Sequence, residues 1–154
     1  LAWMTQGLWV FICLFPILIV FSSPANDEII YLAFGGLIYL VGMVIEIIAD
    51  YQKTAHNKLN NKKRKFISSG LWSRSRHPNY FGEFLIWTGI TIICFPVCSG
   101  FKYLALITPI FIYFLLNYIS GVNLLEERAK EMWGNNPEYV KYLKTTPKFF
   151  PKIF

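Results

Sequence analysis

Four runs of the sequence, residues 1–21, 29–49, 81–98 and 103–120, are each about twenty residues of almost wholly apolar side chains, and the first and last of them carry no charge at all. A helix of about 20 apolar residues crosses a hydrocarbon core of about 30 Å, and in lipid each backbone N–H and C=O must find its partner inside the segment. Hydrophobic residues make up 55% of the chain and aromatics 18%, and the mean hydropathy is +0.41, more apolar than a soluble domain of 154 residues sustains. The pattern predicts an all-α, polytopic membrane helix bundle: a single domain over residues 1–154, with about four transmembrane helices and a C-terminal interfacial helical region over 121–154.

The runs carry their own packing signals. Pro16 and Pro109 predict kinks that neighbouring helices must accommodate. Gly35, Gly36 and Gly42 offer small surfaces for close helix contact. They do not form a dinucleotide fingerprint, because no strand precedes them and no GxGxxG occurs. The opening run lacks the basic flank and small-residue cleavage site of a signal peptide. Cys13, Cys94 and Cys98 lie inside apolar runs without metal-ligand spacing, so no metal site and no structural disulfide is expected.

Charge sets the expected orientation. The connection 22–28 is short and acidic, whereas between Asp50 and Arg76 the chain carries Lys53, Lys58, Lys62, Lys63, Arg64, Lys65, Arg74 and Arg76 and no acid. The positive-inside rule puts this loop on the cytoplasmic or matrix side, and span parity puts the C-terminal tail there too. The formal net charge of +6 is explained by orientation and anionic lipid head groups rather than by nucleic acid. The tail predicts an amphipathic helix from about 121 stopped by Gly134 and a second helix from Asn135-Asn136-Pro137 through Lys144, with Tyr139 and Tyr142 on one face.

The chemistry gathers at one boundary. Residues 70–83 read Gly-Leu-Trp-Ser-Arg-Ser-Arg-His-Pro-Asn-Tyr-Phe-Gly-Glu, a polar string at the mouth of the third run. Pro78 fixes its own φ and biases His77 toward extended geometry, so a helix starts at about Asn79, with Tyr80 and Glu83 on one face. Glu46 and Asp50 stack four apart at the end of the second run. Carboxylates at such depth are costly unless paired, which marks Glu46 and Glu83 as functional candidates. Together with Glu126, Arg128, Tyr139 and Tyr142, these residues suit a phosphorylated, amide-bearing molecule: arginines take phosphate, and Asn and carboxylates take amide and ribose donors. Tyr80 and Glu83 are the candidate catalytic residues. Glu46, Asp50, Arg74, Arg76, His77, Asn79, Tyr139 and Tyr142 are the candidate cofactor ligands. No Ser or Cys stands in a nucleophile elbow.

The strings Gly70-Leu71-Trp72, Arg76-His77-Pro78-Asn79-Tyr80-Phe81-Gly82-Glu83, Glu46-Ile47-Ile48-Ala49-Asp50, Ser120-Gly121, Leu124-Leu125-Glu126, Trp133-Gly134 and Pro137-Glu138-Tyr139 through Phe150-Pro151 together resemble the C-terminal domain of the steroid 5-alpha-reductase-like family. The resemblance implies a helical membrane reductase that binds NADPH without a Rossmann domain, with cofactor contacts on Asp50, Arg76, Asn79, Tyr80, Glu83 and the tail tyrosines. It implies hydride transfer to a polarised C=C of a sterol-like or other lipid, which enters from the bilayer. Members of the family carry further helices, ahead of the first span, whose carboxylate and tyrosine polarise the substrate; this chain resembles the cofactor half. Two alternatives stand beside it. Isoprenylcysteine carboxyl methyltransferases share a similar Arg-His-Pro-x-Tyr element and bind S-adenosylmethionine. A non-catalytic accessory subunit would keep the reductase fold inside a larger membrane complex, with other membrane subunits as its partners.

The topology has a direct check. A cysteine introduced at Lys62 should be blocked to an impermeant thiol reagent applied from the side on which a cysteine at Asn26 is labelled. Labelling of both from one face refutes the four-span count.

Overall fold

The computed structural model describes residues 2–24, 28–60 and 65–152, whose regular elements are all helical, with no strand among them. The α-helices are α1 (Ala2–Ser22), α2 (Ile29–Asn60), α3 (Pro78–Cys94), α4 (Thr108–Phe114), α5 (Val122–Trp133) and α6 (Pro137–Thr145). Short 3-10 segments cover Gly70–Ser73, Phe95–Val97 and Gly100–Ile107, and Leu115–Ser120 is π-helical. Three helical stretches, Ile29–Asn60, Pro78–Val97 and Gly100–Trp133, are long and apolar enough to cross a membrane, and a shorter apolar helix covers Gln6–Ser22. The chain is an integral membrane protein. Lys62, Lys63 and Arg64 of the basic loop, and Ala25, Asn26 and Asp27 of the acidic connection, lie outside the described residues.

The chain divides into two compact units, Leu1–Gly42 with Phe84–Phe114 and Met43–Glu83 with Leu115–Phe154. The first unit shows how an apolar sequence satisfies its backbone. Pro16 has no N–H, so the carbonyl of Ile12 loses its intrahelical partner. The Thr108 hydroxyl donates to that carbonyl at 3.1 Å, with Thr108 and Pro16 both buried. Close approach of α2 and α3 rests on glycine: a Cβ on Gly35 would lie 2.7 Å from the Gly89 carbonyl oxygen, and one on Gly89 only 2.5 Å from that of Gly35. Gly36, by contrast, has nothing within 4 Å of such a Cβ, so only one of the paired glycines serves the contact. Ile19, Cys94, Cys98 and Ala105 form a small buried cluster. Outward, Phe11, Leu18, Leu37 and Ile110 are exposed, as an apolar surface facing acyl chains requires.

The second unit carries most of the polar residues. α2 continues past the apolar run to Asn60, because residues 50–60 contain neither glycine nor proline and Asn60 Nδ2 closes the last turn on the His56 carbonyl at 3.0 Å. Gly70 turns the chain with φ 62°. A Cβ there would meet the Gln52 side-chain amide at 2.6 Å, and Gln52 Oε1 accepts from Leu71 N at 3.0 Å. α3 begins at Pro78, one residue before the expected start. The tail follows expectation: Asn136 caps α6 by accepting from Glu138 N at 2.9 Å, with Pro137 in its first turn.

The proline–threonine pairing yields a test. Thr108→Val should cost about 1 kcal/mol of unfolding free energy, the scale of side-chain hydrogen bonds inside membranes. In a Pro16→Ala background the restored N–H can reach the Ile12 carbonyl, so the same substitution should cost much less there. Equal costs in both backgrounds, measured by detergent unfolding, would exclude the pairing.

Candidate functional site

Trp72 is the post around which the second unit's polar residues are set. Its indole N–H donates to the Ala49 carbonyl of α2 at 3.0 Å, and its own carbonyl accepts from the Tyr142 hydroxyl of α6 at 2.6 Å. The Lys53 ammonium lies over the indole, 5.5 Å from its centroid. Burial holds the Tyr142 phenol well above the usual tyrosine range, so it serves as a neutral donor. Phe66 fills the space between, 5.1 Å from Tyr139, 5.5 Å from Tyr142 and 6.0 Å from Trp133, centroid to centroid.

Against this aromatic wall stand Arg76, His77 and Glu126. One carboxylate oxygen, Glu126 Oε1, accepts from Arg76 Nη1 at 3.2 Å and faces His77 Nε2 at 3.3 Å. Tyr80 stacks on the His77 ring at 5.7 Å with 9° between planes. It fits there because position 121 is glycine: a Cβ on Gly121 would lie 2.8 Å from the Tyr80 ring. The resulting cavity has a volume of about 200 Å³ and is lined by Lys53, Lys65, Phe66, Trp72, Arg76, His77, Glu126, Trp133, Tyr139 and Tyr142 among others.

Of the residues expected to hold a cofactor, Arg76, His77, Tyr139 and Tyr142 come together on this cavity, and Glu126 joins them. Glu46, Asp50, Arg74, Asn79, Tyr80 and Glu83 do not line it. Asp50 and Arg74 are exposed, and the other four are half-buried. Lys53, Lys65, Phe66, Trp72 and Trp133 line the cavity without having been expected there. The sequence did offer a signal for Phe66, a lone aromatic closing the basic stretch. Among the described residues, two buried side-chain polar atoms have no hydrogen-bond partner, Arg76 Nε and Asn79 Oδ1. Buried polar groups are satisfied in the great majority of cases, so a donor and an acceptor left open three residues apart point to a polar ligand. The cavity thus carries three cations to one carboxylate and five aromatic rings, and the arginine keeps an open donor.

Residues 1–146 match the family described as "Protein of unknown function (DUF1295)". The chain belongs to this family. Membership bears out the resemblance to the steroid 5-alpha-reductase-like family. Among curated relatives, this DUF1295 chain is 28% identical over 144 residues to the "Probable 7-dehydrocholesterol reductase" of Acanthamoeba polyphaga mimivirus, covering 79% of the chain and 30% of that protein. It is 39% identical over 69 residues to the "Probable O-methyltransferase ustE" of Ustilaginoidea virens, covering 43% of the chain and 24% of that protein. The chain thus spans only 24% and 30% of the length of these two relatives. No solved structure matches it significantly.

His77 gives the site a pH signature. Burial is the main influence and lowers its pKa; the hydrogen bond and charge of Glu126 oppose this, while Arg76 and Lys53 add to it. The unfolded chain therefore binds a proton here, near pH 6.5, that the folded chain refuses. The sign follows: this contribution is fully present above about pH 6.5 and is lost as pH falls below it. The unfolding midpoint in detergent should drop between pH 7.5 and 5, and drop less in His77→Gln; parallel profiles for the two proteins would remove His77 as the cause.

Proposed function

We propose that the chain is the cofactor-binding part of an NADPH-dependent membrane reductase that acts on a C=C of a sterol-like or other lipid. The single observation that carries this reading is the lining of the cavity, where Lys53, Lys65 and Arg76 outnumber the one carboxylate, Glu126, beside five aromatic rings. Phosphate groups need several cations in a small space, and the arginine fork supplies paired donors. A cavity of about 200 Å³ is smaller than the roughly 300 to 1,000 Å³ of whole-ligand pockets, so it suits one nucleotide end. NADPH, when bound, supplies the hydride. Arg76, Lys53 and Lys65 bind and orient the phosphates, the aromatic side chains exclude water from the base, and the Tyr80 hydroxyl is a proton donor beside Glu83. Lipid substrate, surrounding lipids and partner subunits would meet the chain from the bilayer, with the basic loop and tail on the cytoplasmic or matrix side.

A second reading has its own support in the O-methyltransferase relative, which is the more identical of the two over its shorter match. S-adenosylmethionine shares the adenosine of NADPH but replaces phosphates by a sulfonium cation. A cation-rich lining disfavours it, whereas the aromatic wall does not.

The two readings separate in one assay. NADPH at about 100 times its dissociation constant should stabilise the folded protein by about 2.7 kcal/mol, seen as a raised unfolding midpoint, and S-adenosylmethionine should do less. Lys65→Gln, at an exposed position, should weaken NADPH binding about fivefold, corresponding to about 1 kcal/mol, without lowering the ligand-free midpoint. A shift with S-adenosylmethionine alone would favour the methyltransferase. No shift with either would favour an accessory subunit.

A further inference from the structure

Three consecutive residues ahead of α3 are tied to the tail of the chain. Pro78 keeps His77 out of helical geometry, so the amides just before it cannot be satisfied within a helix and need partners elsewhere. The Ser75 hydroxyl, wholly buried, donates to the Phe149 carbonyl at 2.7 Å and accepts from His77 N at 3.2 Å. On either side, Arg76 N donates to the Pro147 carbonyl at 2.9 Å, and Lys152 N donates to the Arg74 carbonyl at 3.0 Å. Thr146 and Phe149 are buried, and the rings of Phe149 and Phe150 meet Phe81 edge-on at 6.3 and 6.0 Å. The same segment reaches the helix that carries the opposite partner of the ion pair. Lys148 Nζ donates to Asn123 Oδ1 at 2.9 Å, on α5 three residues before Glu126.

We propose that residues 146–152 are a strap that sets Arg76 and His77 against Glu126, with Ser75 as a positioning residue, so that the cavity's affinity for its ligand is governed from the C-terminal tail. One end of the strap fixes the backbone carrying the guanidinium and the imidazole. Lys148 fixes the helix carrying the carboxylate. Ser75 does not line the cavity; it acts through Arg76 and His77, whose main-chain path it determines. An open strap leaves Arg76 free to swing from the cavity and His77 open to solvent. The ligand is a phosphorylated nucleotide only insofar as the reading above holds, whereas the strap's hold on His77 stands apart from it.

The test uses the full chain in mild detergent, well below its unfolding midpoint. Diethyl pyrocarbonate labelling read by mass spectrometry should find His77 protected in the wild type, with His56 as the internal reference. Ser75→Ala and Lys148→Gln should each raise His77 labelling severalfold, and Ser75→Ala should weaken NADPH binding about tenfold. A merely structural Ser75 would lower the midpoint while leaving labelling and affinity as they are, and that result overturns the proposal. Lys148→Gln alters an exposed contact and keeps the test alive if Ser75→Ala does not fold: unchanged His77 labelling in it overturns the strap. Failure of the wild type to bind NADPH would refute the functional reading alone, because the His77 labelling still decides the strap.

Discussion

A single carboxylate oxygen on α5 organises the polar half of this protein. Glu126 Oε1 faces a guanidinium at 3.2 Å and an imidazole at 3.3 Å, and all three groups are largely withdrawn from water. Bringing such charges together is costly unless each donor and acceptor is matched, and removal of one partner leaves an uncompensated charge worth several kcal/mol. The surrounding scaffold serves that matching. Trp72 fixes the loop to α2 and α6, Gly121 leaves room for Tyr80 to lie flat on His77, and burial keeps His77 biased toward the neutral form, in which one ring nitrogen still donates. Arg76 Nε remains open. A buried guanidinium nitrogen without a protein partner suits something that arrives from outside.

The apolar unit obeys a different constraint. Its outer side chains gain little by packing, since acyl chains are as apolar as leucine, so specificity falls to backbone satisfaction and close approach. Thr108 answering the carbonyl freed by Pro16 and Gly35 meeting Gly89 are the two contacts where that logic is visible. Both depend on one small or polar side chain in an otherwise interchangeable apolar face. Substitutions of one large aliphatic residue for another on the exposed faces should therefore matter far less than a methyl group at position 35 or 89.

The length and uncharged character of the apolar runs made the helical membrane architecture legible before any coordinates, and capping chemistry located α6 to within a residue. The end of α2 was not legible. Charge and polarity announce the end of a membrane span, whereas a helix ends only where backbone bonding fails, and nothing between Ala49 and Asn60 forces that failure. The site was half legible for a related reason. Arg76 and His77 stood out by chemistry next to a helix start and Tyr139 and Tyr142 by sharing a face of the tail helix, but Trp72 and Trp133 entered only as parts of the family resemblance and Phe66 was not singled out. Their convergence depends on Gly70 and Gln52 folding the loop back onto α2, a contact between residues 18 apart that no local period encodes. Asp50, Asn79 and Glu83 were placed with the site through helix periodicity and resemblance, and side-chain spacing alone cannot say which face looks onto a cavity.

The two proposed readings call for different cofactors, NADPH and S-adenosylmethionine. On either reading, an aromatic pocket beside an Arg-His-Glu cluster would take the flat base and ribose that NADPH and S-adenosylmethionine have in common. Discrimination has to come from what lies beyond the ribose. Phosphates ask for converging cations, and a sulfonium asks for their absence. Lys53 and Lys65 are therefore the informative residues: neither contributes to the Arg76–Glu126 pair, yet they make the lining cationic. Lys53 is held over Trp72 rather than spent on a carboxylate, which keeps its charge available to the cavity. On the proposed reading, the surroundings of the base pocket rather than the pocket itself would set the cofactor class, and in this chain those surroundings carry three cations to one carboxylate.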